Sequence, residues 1–237
     1  QVHMAIMLVI VLGAGLVTMG GITTAPARAG TQTSDHPAFA VPTWGLLPLC
    51  MIGIAAFLVE GAGIDWSTIY MRDVFAAEPF IGGLGLTLFT FFMAVTRLYI
   101  DPVVDTFGPR RVAGSLLAVA GIGVLMVGLA PFDTVALIGF ALMGLGCSAV
   151  YPLAVSAAAQ RTDRPAAVNV AAIGQVTFVV FFLAPPLLGF VAQYTGIRNS
   201  YLITLPILAL GLLAIPALQS KRSPDEPSVP EPLTPNG

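Results

Sequence analysis

Apolar residues in this chain run in long stretches, and polar residues collect in the gaps between them. The apolar stretches are Val2–Ile22, Trp44–Tyr70, Ile81–Val103, Val112–Ala130, Val135–Ala159, Ala167–Val191 and Ser200–Leu218. A bilayer's hydrocarbon core is about 30 Å thick and takes about 20 mostly apolar residues per helix. Each stretch therefore reads as a transmembrane helix, and the fold class is all-α integral membrane with seven spans. A polar linker rich in Pro, Gly and Thr, Thr23–Thr43, separates the first two spans. The other connections are short, and Pro79, Pro109, Pro131 and Pro165 sit in them near span starts as helix punctuation. Beyond Leu218 the chain turns polar and dense in Pro, Ser and acidic residues, which cannot bury a core and predicts a disordered tail. The expected organisation is a helix over 1–22, a linker over 23–43, a six-helix bundle over 44–218 and a tail over 219–237.

Composition supports this reading. The chain is 57% hydrophobic and 9% charged, against about 25% charged in soluble domains, and its mean hydropathy is +0.90. A net charge of −2 provides no basic surface for nucleic acid. Cys50 and Cys147 fall inside apolar runs and read as small buried residues rather than a disulfide framework. No Cys/His spacing suggests a metal, and no cofactor is expected. His3 and His36 belong to no constellation, and neither Gly-x-Ser-x-Gly nor His-Glu-x-x-His occurs. No catalytic residue is assigned, and the chain does not read as an enzyme. A retinal-type receptor is excluded because the sole lysine, Lys221, lies in the tail.

Lys and Arg set orientation, through their excess on the cytoplasmic side. With Gln1 outside, the inner faces carry Arg28, Arg97, Arg110, Arg111, Arg161, Arg164, Lys221 and Arg222, and the outer faces carry Arg72 and Arg198, which accounts for all 10 basic residues. This predicts a multi-pass protein of the cell (inner) membrane with its C-terminus cytoplasmic. Val2–Ile22 followed by Ala25-Pro26-Ala27 also has the outline of a signal peptide. It lacks a basic leading region, however, and cleavage would put nearly all the arginine loops outside. A retained span fits better.

Two constellations carry candidate chemistry. The first is the charged stretch Arg97–Arg111, with Asp101, Asp105, Gly108, Arg110 and Arg111. Gly108 permits a tight turn, and Pro109 suits the first turn of the next helix. Asp105 can face a helix N-terminus, and Arg110 and Arg111 suit the inner headgroups. The second is Glu60-Gly61-Ala62-Gly63-Ile64-Asp65-Trp66-Ser67, late in the second span. At 1.5 Å per residue from Trp44, Glu60 lies roughly 24 Å along the helix, in the outer half of the bilayer. A carboxylate there costs about 2.5–3.5 kcal/mol on insertion scales and by default marks a pathway. Gly61 and Gly63 are expected to loosen the helix beside it, as at the interrupted helices of transporters. Glu60 is thus a candidate for binding substrate or exchanging a proton, with Asp65 and Trp66 near the outer interface. Ser148, Tyr151 and Gln175, with Thr177, are further cavity candidates or interhelical hydrogen-bonding groups. Pro152, Pro185 and Pro186 predict helix kinks. Gly13, Gly15, Gly121, Gly123, Gly144 and Gly146 predict close helix approach.

The spacing of Asp105, Phe107, Gly108, Arg110 and Arg111 resembles the cytoplasmic helix–loop–helix signature of the major facilitator superfamily of transporters. In that pattern Asp-Arg-x-Gly-Arg-Arg follows a helix end. The copy departs from it at Ile100, Pro102, Thr106 and Pro109. The resemblance implies that this loop acts as an inner gate, a latch pairing charges between helices. Glu60 to Ser67 is similar to the Glu-Gly-x-x-x-Asp-Trp-Ser run of the fucose-permease-like sugar permeases and their relatives. Gly144-Leu145-Gly146, Pro152, Ala184–Gly189 and Thr195–Arg198 extend that likeness. The resemblance implies secondary active transport of a small solute by alternating access, with proton coupling as an option. It also implies that the spans correspond to helix 6 and the C-terminal six helices of a twelve-helix transporter. The chain starts at Gln1 inside an apolar run, so a fragment lacking the first five helices is expected. Its partners would be the lipid bilayer, a small solute and the missing N-terminal half, in the same or a separate chain. A non-transporting scaffold or truncated relic is the alternative.

Overall fold

The computed structural model describes Gly13, Gly15 and residues 39–218. Residues 1–37 form a unit separate from the remainder, and of the described residues there, Gly13 and Gly15 are helical. The expected span Val2–Ile22, most of the linker and the tail 219–237 lie outside the described residues.

The regular structure of the described residues 39–218 is all helical. The elements are α1 (Leu47–Phe75), α2 (Pro79–Phe107), α3 (Pro109–Leu129), α4 (Asp133–Cys147), α5 (Val150–Ala159), α6 (Ala166–Thr195), α7 (Ile197–Leu202), α8 (Leu205–Ala214) and a closing 3-10 turn, Ile215–Leu218. Among the described residues, six helical stretches are long and apolar enough to cross a membrane, with α4–α5 as one and α7 onward as another. They correspond to the last six spans of the sequence reading, with ends shifted by a few residues.

Very short connections force an up–down order. Gly108 alone joins α2 to α3 at φ 82°, a region open to glycine, and Pro109 then opens α3. Gly196 repeats the device between α6 and α7 at φ 92°. The bundle therefore has a Gly108 end, holding the start of α1 and the α5–α6 connection, and a Gly196 end, holding the end of α1.

The helix at the centre is α1. Its apolar window is 61% buried, against 17% for α2, and it packs on α2, α4, α5, α6, α7 and α8. Small residues set the approach of its neighbours. A Cβ on Gly123 would lie 2.7 Å from the Gly139 carbonyl oxygen, and one on Gly144 would overlap the Phe89 carbonyl. Backbone cannot yield as a flexible side chain can, so the α3–α4 and α2–α4 seams depend on these glycines. Gly121 by contrast has ordinary contact with Leu208.

Proline decides where spans break. Pro152 has no N–H to give the carbonyl four residues earlier, that of Ser148, and the fifth span parts at Ser148–Ala149. Pro206 does the same for Leu202, and α7 gives way to α8 at Ile203–Thr204. Pro185 and Pro186, expected to kink their span, are accommodated in the unbroken 30-residue α6.

Candidate functional site

Glu60 sits near the middle of the 29-residue α1, about 20 Å from Leu47 at 1.5 Å per residue. α1 runs on to Phe75, past the expected end at Tyr70, which sets Glu60 near the centre of the helix. The helix is also uninterrupted at Gly61 and Gly63. Gly63 is a packing position, where a Cβ would run into the Phe89 ring, whereas a Cβ on Gly61 would meet only the Asp65 carboxylate at 4.0 Å.

The interrupted helix beside Glu60 is instead the α4–α5 break. Arg97 of α2 lies about 15 Å inside the Phe107 end by helix rise. Its Nη2 is 4.0 Å from Glu60 Oε2, and its Nε donates to the Ser148 carbonyl at 2.9 Å. That carbonyl is the one Pro152 leaves without a helical donor. Three helical elements thus meet in one polar junction within an otherwise apolar bundle. The Arg97 side chain is 47% exposed and that of Glu60 is 23% exposed, so the junction opens to one side of the bundle. Arg97 was grouped with the loop stretch in the sequence reading; it is a mid-bundle group, separate from the loop.

One turn toward the Gly108 end stands an aromatic wall. Phe57, three residues before Glu60, meets Tyr151, three after Ser148, edge to face at 4.6 Å. Phe181 of α6 lies 6.4 Å from Phe57. The Thr177 hydroxyl is 3.5 Å from the Tyr151 oxygen.

The remaining candidates lie elsewhere. Asp65 is exposed. Trp66 wedges against α6, where a Cβ on Gly189 would meet its ring at 3.2 Å. It helps line a cleft of about 780 Å³ at the Gly196 end, with Asp73, Gln193 and Arg198. Gln175 accepts a hydrogen bond from the Ala40 backbone at 3.0 Å. Asp101, Asp105, Arg110 and Arg111 are exposed at the Gly108 end, and none pairs with a charged group among the described residues.

The sequence reading missed a second arginine–carboxylate site, this one at the Gly108 end. Asp163 accepts from Arg161 through both oxygens at 3.1 and 3.0 Å, from the Thr43 hydroxyl at 3.2 Å and from the Asn169 amide at 3.1 Å. Arg161 also donates to the Gly45 carbonyl, and Arg164 to that of Val41. This clasp ties the segment leading into α1 to the α5–α6 connection. The hydrogen bonds from Arg161 first, then those from Asn169 and Thr43, hold the Asp163 carboxyl well below the usual carboxylate range. The close Arg161/Asp163 spacing was the available signal.

Residues 49–236 match the family model of the Major Facilitator Superfamily. The chain is 29% identical over 176 residues to an uncharacterised MFS-type transporter of Yersinia pestis, covering 73% of this chain and 45% of that protein. It is 31% identical over 189 residues to the uncharacterised transporter y4wD of Sinorhizobium fredii, covering 80% and 50%. It is 29% identical over 232 residues to the uncharacterised MFS-type transporter YhhS of Escherichia coli, covering 94% and 53%. The chain spans about half the length of these relatives. Each is named as a transporter, and their likeness to this chain agrees with the six membrane-length apolar helices among the described residues. On the family match above all, this multi-pass membrane chain belongs to the major facilitator superfamily of transporters.

Proposed function

We propose that the protein moves a small solute across a membrane by alternating access, with Glu60 as the group that exchanges a coupling proton. The observation that carries this is the Glu60–Arg97–Ser148 junction. It places two opposite charges and a carbonyl freed by proline at mid-bundle, open to one side. Ionisable groups at such depth cost about 2.5–3.5 kcal/mol each on insertion scales. A purely structural contact would gain more from closing tightly. On this reading the chain is the C-terminal half of the transport unit, and the other half, from the same or a separate polypeptide, faces the open side of the junction. The arginines at the Gly108 end support placing that end in the cytoplasm of a cell (inner) membrane. There Asp101, Asp105, Gly108, Arg110 and Arg111 would contribute to an inner gate with groups outside the described residues. Membership of the fucose-permease-like branch rests on the Glu60–Ser67 run and does not fix the solute.

The test is Glu60→Gln in the complete protein that contains this chain, reconstituted in vesicles with a pH-reporting dye inside. Loss of solute-driven proton flux, with exchange of solute for solute retained, is expected. Unchanged proton flux would remove Glu60 from the mechanism. A scaffold without transport predicts no flux in either protein.

A further inference from the structure

We propose that the junction is the seat of an organic monocarboxylate, its charged end on the Arg97 guanidinium and its apolar body against Phe57, Tyr151 and Phe181. This rests on the reading above, that the junction lies in the transport pathway.

The argument begins with the donors of Arg97. Nε is committed to the Ser148 carbonyl, which fixes the base of the planar fork. Nη2 lies 4.0 Å from Glu60, outside hydrogen-bond range. Neither Nη donates to any other described group, so four N–H donors remain at the exposed tip. A fork anchored at Nε and free at both Nη atoms suits the two oxygens of a carboxylate. An arginine present only to neutralise Glu60 would close on it, as Arg161 closes on Asp163 at 3.0 and 3.1 Å.

The apolar part of the ligand follows from what adjoins the fork. Phe57 stands one turn from Glu60 on the same face of α1, about 5 Å along the bundle axis, and Tyr151, just beyond the Ser148–Ala149 break, packs on it. Phe181 is 50% exposed beside them. A charged tip and an aromatic wall at that separation fit a small aryl or short-chain carboxylate. A cation would have to meet Glu60, which is the less exposed partner and faces a positive charge.

Charge balance then couples the anion to a proton. With Glu60 ionised, the pair sums to zero, and a monoanion on Arg97 would leave a net negative charge beside the Glu60 carboxylate in a low-dielectric setting. One proton on Glu60 restores neutrality, so anion and proton load together. From the helices packed on α1, the titratable groups near Glu60 are Arg97 of α2 and the buried Cys147 thiol of α4. Tyr151 of α5 lies within hydrogen-bond distance of Thr177, and Tyr201 of α7 donates to the Ala62 carbonyl. α6 and α8 bring no charged residue.

The experiment measures binding to the complete protein that contains this chain, purified and reconstituted. The probes are benzoate and naphthoate, their neutral counterpart benzamide and the cation benzylamine, at about pH 5.5 and about pH 7.5. The carboxylates are expected to bind at least about tenfold more tightly than benzamide or benzylamine, and more tightly at the lower pH. Arg97→Gln should weaken carboxylate binding by about tenfold or more, with partial recovery in Arg97→Lys. Glu60→Gln should remove the pH dependence of carboxylate binding. Carboxylates that fail to bind, benzamide or benzylamine binding as well as benzoate, or carboxylate binding unchanged in both Arg97 variants would each overturn the proposal. If benzamide or benzylamine drives Glu60-dependent proton flux, the anion assignment fails and the transport reading stands. If carboxylates bind and no probe drives flux, the reverse holds.

Discussion

Arginine meets a carboxylate at two places in this bundle, and the two meetings differ in almost every respect. At the Gly108 end, Arg161 grips Asp163 through both oxygens, Thr43 and Asn169 fill further acceptor sites, and Arg161's remaining reach goes to Gly45. At mid-bundle, Arg97 and Glu60 stand 4.0 Å apart without a hydrogen bond between them. The satisfied pair occupies the connection, where water is available and a surface ion pair contributes little. The incomplete pair lies at mid-span, part-exposed on one side of the bundle, where a charge without hydrogen-bonded partners is costly. A structure needing only cohesion would have placed the better geometry inside. The inversion teaches that completeness of hydrogen bonding, rather than the presence of an ion pair, separates a clasp from a site with vacant donors.

The comparison breaks most sharply if the inner pair is exchanged. Glu60→Arg combined with Arg97→Glu keeps the net charge of the junction but moves the guanidinium to α1, away from the Ser148 carbonyl. Folding, followed by monodispersity in detergent, should recover relative to either single variant. Transport should stay below about one-hundredth of wild type, a barrier increase of about 2.7 kcal/mol. Recovery of transport in the double variant would make the pair a mere ion bridge, equivalent to the clasp.

A smaller effect is expected at the backbone. Pro152→Ala supplies the N–H that the Ser148 carbonyl lacks, allowing α4 and α5 to join and drawing that carbonyl away from Arg97. Transport should fall by about tenfold, about 1.4 kcal/mol, while thermal stability stays level or rises, because a helix-interior proline is removed. Equal loss of both would show that the break is structural.

These residues also show what the sequence could and could not convey. The six described spans were legible because bilayer thickness demands long apolar runs, and nothing else in this composition competes with that signal. Their ends were less so: Arg72 and Asp73 look like loop but continue α1 at the membrane boundary. Arg97 was grouped with Asp101 and Asp105 by proximity along the chain, and its nearness to Glu60 was not seen. The span Ile81–Val103 already contained it, and the cost argument that singled out Glu60 applied to it equally. Ser148 was noticed as a side chain, but its carbonyl makes the junction, a consequence that follows from Pro152 four residues on. Phe57 was missed because one more aromatic in an apolar run carries no signal until Glu60's helical face is considered. The clasp is a different case. Thr43 and Asn169 reach Asp163, and the Gly45 carbonyl reaches Arg161, from separate parts of the chain, and no periodicity marks such a meeting.

The least effect on transport, and the clearest contrast, belongs to Asp163→Asn. The variant keeps the size and some acceptor capacity of the side chain but loses the charge-assisted bonds to Arg161. Transport should remain within about twofold of wild type, less than about 0.5 kcal/mol. Protease cleavage near Val41–Gly45, the segment held by Arg161, Arg164 and Thr43, should become faster. The pH dependence follows from the direction of the carboxyl's shift. Folding holds Asp163 below its ordinary value, so its contribution is present above the unfolded value, about 3.9 for aspartate, and is lost as pH falls through the lower folded one. Between about pH 5 and about pH 8 the difference in melting temperature between wild type and Asp163→Asn should be constant, closing only below about pH 4. A gap that instead changed across the neutral range would mean that another titrating group shares the clasp. Asp163 would then no longer serve as the fixed, fully ionised counterpart to Glu60.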